Sequence, residues 1–574
     1  MLTRFFGLQV VLTLTILLAA TFISGTRADD LDNIIFEGVV RDSTAAVVVA
    51  VEVVAVHIAT GVEHATVSND QGRFRISVGI PGNYKLKARA SGFNDQESQE
   101  IAGITGRTFS VDLMLTPAGV NEQVVVAADS STKLVDTNRT VVGDTITQRE
   151  LDELPIVNRD PLQIVFLLGG VTEAPLSTAE LADEGRGVFL RGTPEEAGLF
   201  SLTGASATSN NLTIDGLDNN DDRSANPRVT LNPESIAEVQ VITNQYAAEY
   251  GRASGGRINV STRSGSNSFR GNAYSYFGDE SLNANTFFRN VRGLGRIPEQ
   301  RRREGGVLSG PIRKQRDFFF ASYERFDVPD FIEISALVPV VSNPLFPLPK
   351  PNQPVSPDSK VGLFSEEIAT PETVNTINAR VDLNVSQSHN SVFRVDALRG
   401  QNDRGFPGGT RLAETLLRAG RDSSSIGISD FMVFGARLVN QARFQYSRLL
   451  PRSTAKQNSV GVVINSPRLT AGSFTGSDSS PAFERKENRT QLQNNLSLSA
   501  GTHLFKAGVD AHLVRSSFED LFATGGQYTF DSSEAFLANK PSRFVQRFDT
   551  KSSLANNVIG VYIQDEWKIA NNVT

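Results

Sequence analysis

The stretch "YAAEYGRASGGRINVSTRSG", Tyr246 to Gly265, holds four glycines and then alternates apolar and polar residues. Gly251 and Gly256 stand five apart, as in a phosphate loop of the form GxxxxGK followed by Ser or Thr. Arg257 and Ile258 occupy the places of the Lys and the hydroxyl that would reach phosphate and magnesium, and the chain has no GxGxxG. What remains is a glycine-rich turn, Gly251, Gly255 and Gly256, leading into a strand. Period-two alternation places Ile258 and Val260 on an apolar face and Asn259 and Ser261 on a polar one. The expectation is a strand with one face on a small core, one on water, and glycines that let the backbone approach a neighbouring wall.

The 574 residues are 39% hydrophobic with a mean hydropathy of -0.19, which excludes a bundle of membrane-crossing helices. The chain nonetheless begins as an exported one. Arg4 precedes an uncharged run from Phe5 to Ile23, and small residues follow around Ala28, so residues 1–28 read as a signal peptide. There is no cysteine, hence no disulfide frame and no thiolate ligand or nucleophile. A net charge of -7 argues against nucleic acid as a partner, because phosphate contacts demand a basic face. His57, His64, His389, His503 and His512 show no metal-ligand spacing, and His57 and His64 read as partly buried strand residues. In "DGLDNNDD", Asp218, Asn220 and Asp222 imitate the start of a calcium loop, but Arg223 stands where that loop requires Gly. The turn therefore reads as a solvated loop. No GxSxG, HExxH or Walker motif occurs, so no catalytic residue, cofactor or metal is expected.

From 29 to 117 run short segments rich in Val, Ile and Phe, spaced by turn residues as in a β-sandwich. In "GNYKLKARASGF", Tyr84, Leu86 and Ala88 alternate with Lys85, Lys87 and Arg89, one set for a core and one for water. This unit resembles the carboxypeptidase regulatory-like domain. The resemblance implies a β-sandwich of about seven strands related to carbohydrate-binding folds. Phe74, Tyr84 and Phe93 fall where a core wants them, so no sugar platform is read here. A connector, 118–148, contains "EQVVVAA": Glu122, Gln123, Val124, Val125, Val126, Ala127 and Ala128. This short β-former suits either a strand added to a partner's sheet edge or a last strand of the sandwich.

Residues 149–264 carry a set of ordered motifs: Leu154-Pro155, Gly170-Val171 after an apolar helix, Arg191-Gly192, Ile214-Asp215-Gly216, Ile236 to Val239, and Tyr250-Gly251 ahead of Gly255-Gly256. In this order they resemble the plug domain of TonB-dependent outer-membrane receptors. By that resemblance "EQVVVAA" looks like a TonB box. The plug arginines Arg186, Arg191, Arg252 and Arg257 are then expected to pair with acids of a barrel lumen.

Residues 265–574 break into runs of roughly ten residues with period-two patterning, the signature of a transmembrane antiparallel β-barrel. In "VNTINARVDLNV" the polar positions suit a wet lumen and the apolar ones suit lipid. Gly305 to Phe326 resembles a hairpin of the Oar-like branch of these receptors, with Ser309 where that branch commonly has Gly. A plugged barrel of about 22 strands needs more chain than this, so the barrel is expected to be incomplete. The fold class is thus mainly β, with a sandwich, an α+β plug and a barrel. The resemblance implies the bacterial outer membrane, its lipid, a TonB-type energy-transducing partner and an unidentified extracellular ligand: siderophore, glycan or peptide. A non-transporting adhesion or export protein, or a periplasmic carbohydrate-binding module, is the alternative.

Overall fold

The computed structural model describes residues 32–118, 142–154, 159–173, 200–221, 226–244, 248–285, 287–291, 293, 295–296, 300–329, 331–402, 411–435, 437–455, 460–471, 476–477 and 480–567. The signal peptide, Glu122 to Ala128, Pro155, Arg186, Arg191, Gly192, Asp222 and Arg223 lie outside these residues.

The first unit is two facing sheets. Ile34–Asp42 pairs with Arg73–Val78 and, in parallel, with Thr108–Ser110 and Leu113–Leu115. Glu52–His57 lies between Glu63–Val67 and Gly82–Arg89 in the other sheet. Alternation along Gly82–Arg89 works as the sequence expects: Tyr84, Leu86 and Ala88 are buried, Lys85 and Lys87 half-buried. Tyr84 packs between Phe36, at 5.2 Å, and His57, at 4.9 Å, with both rings tilted against it. Phe74 is buried in the same core and Phe93 packs on its margin.

A five-stranded sheet forms the second unit, in the order Val142–Thr147, Ile236–Asn244, Gly256–Thr262, Asn210–Ile214, Leu217–Asp218. Its outer strand, Val142–Thr147, comes from the stretch expected to be connector. A capping box between Thr147 and Glu150 starts the helix Gln148–Glu153. The apolar helix ahead of Gly169-Gly170 is a 3-10 helix, Pro161–Leu167, rather than an α-helix. Pro161 and the Asp160 side chain, which accepts from the Leu162 amide at 3.0 Å, fix its first turn, and seven residues are too few to gain from further α-turns.

The opening stretch is the central strand of this sheet. Gly256–Thr262 pairs antiparallel with Ile236–Asn244 and parallel with Asn210–Ile214, and all seven of its residues are buried. The expected hydrated face is therefore closed. Asn259 accepts from the Thr213 hydroxyl at 2.7 Å and the Gly216 amide at 3.0 Å, which satisfies its carbonyl without water. The glycines also act differently from expectation. A Cβ on Gly256 would stand 2.6 Å from Leu202 and 2.7 Å from the Ile242 carbonyl, and one on Gly255 2.5 Å from Asn210, so the crowding is inside the plug. A Cβ on Gly251 would meet open space.

After Thr262 the chain enters a ten-stranded antiparallel wall whose spatial order equals its chain order: Arg270–Asp279, Gln300–Arg313, Asp317–Val328, Glu372–Ser386, His389–Asn402, Leu417–Phe434, Leu438–Ala455, Phe483–Ala500, His503–Asp520 and Lys551–Trp567. Several strands have 18 residues rather than roughly ten. A tilted strand crosses a bilayer in about ten residues, so the surplus extends the wall beyond lipid. Turns at one end are short, as between Ser386 and His389, and excursions at the other are long, as between Val328 and Glu372. These excursions share a core of their own that includes Val338, Ile464, Leu469, Phe530 and Phe536. Along Glu372–Ser386, Asn378, Arg380 and Asp382 are buried inward while Ile377 is exposed outward, the alternation the sequence predicts.

Gly256→Ala is expected to destabilise the plug by about 1 to 3 kcal/mol through overpacking against Leu202. Gly251→Ala should leave it near neutral. Limited proteolysis of the folded chain across a urea series reads both.

Candidate functional site at the plug and barrel interface

The hairpin that joins Asn210–Ile214 to Leu217–Asp218 turns on Asp215 and Gly216, both at positive φ, 48° and 79°. Asp and Gly are the residues that tolerate such a turn. The turn delivers the Asp215 carboxylate to the wall. Arg394 Nη1 donates to it at 2.7 Å, Arg380 Nη1 stands at 3.6 Å, and the Thr262 amide and hydroxyl each donate at 2.8 Å. Burial alone would raise the pKa of Asp215, but Arg394 and Arg380 outweigh it and hold the carboxyl below its ordinary value. Arg394 also donates to the Ile214 carbonyl at 2.7 Å, and Arg380 to the Thr262 carbonyl at 3.0 Å. A Cβ on Gly216 would stand 2.8 Å from the Arg443 guanidinium, so a side chain there would displace the tip of Arg443 in addition to straining the turn.

Toward the long excursions a second cluster forms. Asp218 pairs with Arg489 of the wall and, at 3.1 Å, with Arg252 of the plug, and its amide donates to Gln491 at 3.0 Å. Asp221 receives Arg485 at 2.6 Å and Arg421 at 3.5 Å, and Arg228 pairs with Glu487. The turn read as solvated is thus buried: Asp218, Asn219, Asn220 and Asp221 are each at most 8% exposed. The cause is the wall, whose arginines neutralise the acids and replace their water. Burial pushes the Asp218 carboxyl up, but Arg489 and Arg252 reverse this and hold it far below the usual range. Among the described residues no group of three or more His, Asp or Glu is placed to hold a metal ion.

Toward the short turns, Glu249 pairs with Lys506 at 2.6 Å. Tyr250 lies under the Arg257 guanidinium at 4.4 Å, a cation–π contact that fixes the ring ahead of the glycine turn. Arg257 pairs at 2.8 Å with Asp32, which also receives Arg443 at 2.9 Å. The first unit rests against the same end. The Thr105 amide donates to Glu238 at 3.1 Å, Gln240 donates to the Thr105 carbonyl at 3.3 Å, and Gln441 donates to Asn33 at 3.1 Å. Burial raises the Glu238 carboxyl to about 7, against Thr105 and Ser261, which lower it. His57 is buried, bonds Thr60 at 2.7 Å and is held down at about 4 by desolvation, so it is a neutral core residue.

Of the four plug arginines expected to meet lumen acids, the two described ones do not: Arg252 meets Asp218 of the plug and His512, and Arg257 meets Asp32. Other plug arginines do pair with wall acids, Arg228 with Glu487 and Arg159 with Glu324 at 4.0 Å, while at Asp215, Asp218 and Asp221 the plug supplies the acid and the wall the arginine. Short Asp side chains suit tight plug turns, and long planar guanidinia on inward strand positions span the gap. Reading from the sequence singled out Asp215, Gly216 and Tyr250 but missed Asp32, Arg380, Arg394 and Arg489. A signal for three of them exists: "RVD" at 380–382 and 394–396 and "ENR" at 487–489 place opposite charges two apart on the inward face.

A small mixed sheet held by buried ion pairs against an antiparallel wall defines a plugged β-barrel. The profile of the outer membrane beta barrel domain matches residues 261–339 and 328–574, that of the TonB-dependent receptor plug domain 168–257, and that of the carboxypeptidase regulatory-like domain 35–116. The chain belongs to the outer membrane beta barrel family and carries a TonB-dependent receptor plug domain, which places it in the bacterial outer membrane. It is 24% identical to the TonB-dependent transporter Oar of Myxococcus xanthus, over 89% of this chain and 54% of that protein. It is 29% identical to the ferrienterobactin receptor of Escherichia coli K12 over 30% of this chain and 23% of that receptor. The outer membrane transporter YddB from Escherichia coli shares the fold, with a TM-score of 0.51 and 12% identity over 74% of this chain and 54% of that one. The chain spans about half the length, or less, of the curated relatives it matches.

Two outcomes follow from the geometry. Asp215→Asn removes one of two carboxylates from each arginine, Asp396 still holding Arg394 at 2.8 Å and Asp382 still holding Arg380 at 2.7 Å, and is expected to loosen the plug by about 1 to 3 kcal/mol. A double-mutant cycle with Arg394→Met should recover part of that loss. Glu238 gives a pH dependence. Its pKa is higher folded than unfolded, so the folded state binds more protons and loses stability as pH climbs from 4.5 to about 7. The loss is roughly 3 kcal/mol, and Glu238→Gln should remove that slope from thermal melts across the range.

Proposed function

We propose that this chain works as a TonB-dependent transporter, in which the plug is a stopper held in the barrel by reversible ion pairs. The observation that carries this reading is Asp215. A single turn of the plug binds two wall arginines and the plug's own central strand, so a modest displacement of that turn breaks several plug-to-wall contacts together. Ion pairs suit such a device because water entering the gap solvates both partners and lowers the cost of separating them. An apolar joint of the same area would resist wetting.

In this reading a ligand binds among the long excursions on the outer face, and the TonB box, Glu122 to Ala128, is taken up as an added strand by a TonB-type partner. Traction then reaches the plug through Val142–Thr147, the outer strand of its sheet. The units 29–117, 118–148, 149–264 and 265–574 act as periplasmic sandwich, tether, plug and wall. Outward residues such as Ile377, Val395 and Ile426 meet membrane lipid. Support for transport over adhesion comes from the likeness to a named TonB-dependent transporter across most of the chain. No catalytic, cofactor or metal role is assigned.

Deletion of Glu122 to Ala128 is expected to abolish energy-dependent uptake while the protein still assembles in the outer membrane. Uptake is measured with a panel of labelled ferric siderophores, oligosaccharides and peptides. A chain whose uptake of some panel member survives the deletion undiminished would refute the mechanism.

A further inference from the structure

Immediately ahead of the first sandwich strand, Asp32 and Asn33 enter the joint between plug and wall. The Asp32 side chain is 6% exposed and lies between two guanidinia, Arg257 on the plug's central strand and Arg443 on the wall strand Leu438–Ala455. Two buried arginines from separate bodies share this carboxylate. Burial raises its pKa, but the two arginines bring it down to about 2, so it stays ionised. Asn33 adds a bond from Gln441 and accepts the Gly106 amide through its own carbonyl, which ties the strap to the sandwich loop.

A cavity of about 80 Å³ lies at this joint. Asp32, Asn33 and Ile80 close it from the sandwich side, Asp215 and Gly216 line it from the plug, and Arg443 from the wall. Polar walls and this volume suit a few waters. The cavity is thus a gap between plug and wall, ending on the sandwich, with room for water. Two further anchors hold the sandwich in place. Thr105 grips Glu238 and Gln240 of the plug sheet, and the Asn267 amide, just ahead of the first wall strand, donates to the Ala59 carbonyl at 3.1 Å.

We propose that the sandwich is a latch: its strap, Asp32–Asn33, locks the plug's central strand to the wall and seals the inner end of the gap beside Asp215, so the plug moves only after the sandwich lets go. The proposal rests on the transport reading for its purpose, but its physical content is a coupling between strap and gap. Removing the Asp32 charge leaves Arg257 and Arg443 facing each other without their shared counter-ion, which favours separation and entry of water. Because the strap runs directly into Ile34–Asp42, withdrawing Asp32 shifts the sandwich as a body.

Thiol labelling tests this without any substrate, since the chain has no cysteine. Ser429 lines the cavity from the wall, and Ser429→Cys places a small probe inside it. The purified full chain in detergent is treated with a bulky, charged maleimide. With Asp32 intact, labelling is expected to be slow. Asp32→Asn should speed it at least ten-fold, and Asp32→Glu, which keeps the charge, should return it close to the native rate. Ser533→Cys, buried in the distant outer-loop core, reports global loosening. Equal rates for the three Asp32 forms would overturn the proposal, and so would an equal acceleration of Ser533→Cys, because the effect would then be general unfolding. Labelling of this kind is independent of uptake: loss of the transport reading would appear in the deletion experiment, and loss of the latch would appear here.

Discussion

A buried carboxylate between arginines of another body is the interaction on which the arrangement depends. Asp215 occupies that position, with Arg394 and Arg380 reaching it from adjacent wall strands and Thr262 from the plug. Each charge is costly to bury alone, and together they satisfy one another and the backbone carbonyls of Ile214 and Thr262. The consequence is positional. The contacts favour one docking register of the hairpin, because a shift by one residue would send Asp215 away from both guanidinia.

The same chemistry recurs along the depth of the lumen. Asp221, Asp218 and Asp215 of the plug meet Arg485, Arg489 and Arg394 of the wall, and below them Arg257 and Arg443 meet Asp32. The plug's apolar core is continuous with the wall at Val374 and Leu398, so ion pairs surround a smaller dry contact. Dry contact gives cohesion, and the charged contact gives register and a route by which water can enter.

The sandwich belongs to this system rather than standing apart from it. Its loop at Thr105 touches the plug sheet at Glu238, a carboxyl that burial drives toward neutrality, and its strap shares a salt bridge with plug and wall together. At the opposite end the long excursions pack around Phe530 and Phe536, so the outer face carries a folded layer instead of separate loops.

Much of this was legible in the chain alone. Alternation along Gly82–Arg89 and Glu372–Ser386 gave the faces of sandwich and wall, because a strand's period of two depends only on backbone geometry. Ile214-Asp215-Gly216 announced a tight turn, since few other residues accept positive φ in succession. The sequence alone also put the glycines ahead of "RINVSTR", and with them the idea of close approach. Whose approach it was could not be read. Gly256 is crowded by Leu202 and Ile242 inside the plug, contacts between residues far apart in the chain. Likewise, "DGLDNNDD" looked solvated because its acids have no partner within the turn, and the wall arginines Arg485 and Arg489 that bury them arrive more than 200 residues later. Local pattern determines which way a side chain points. Which charge it meets there is decided only when separate bodies nest, because pairing depends on distance in space and the sequence records only distance along the chain.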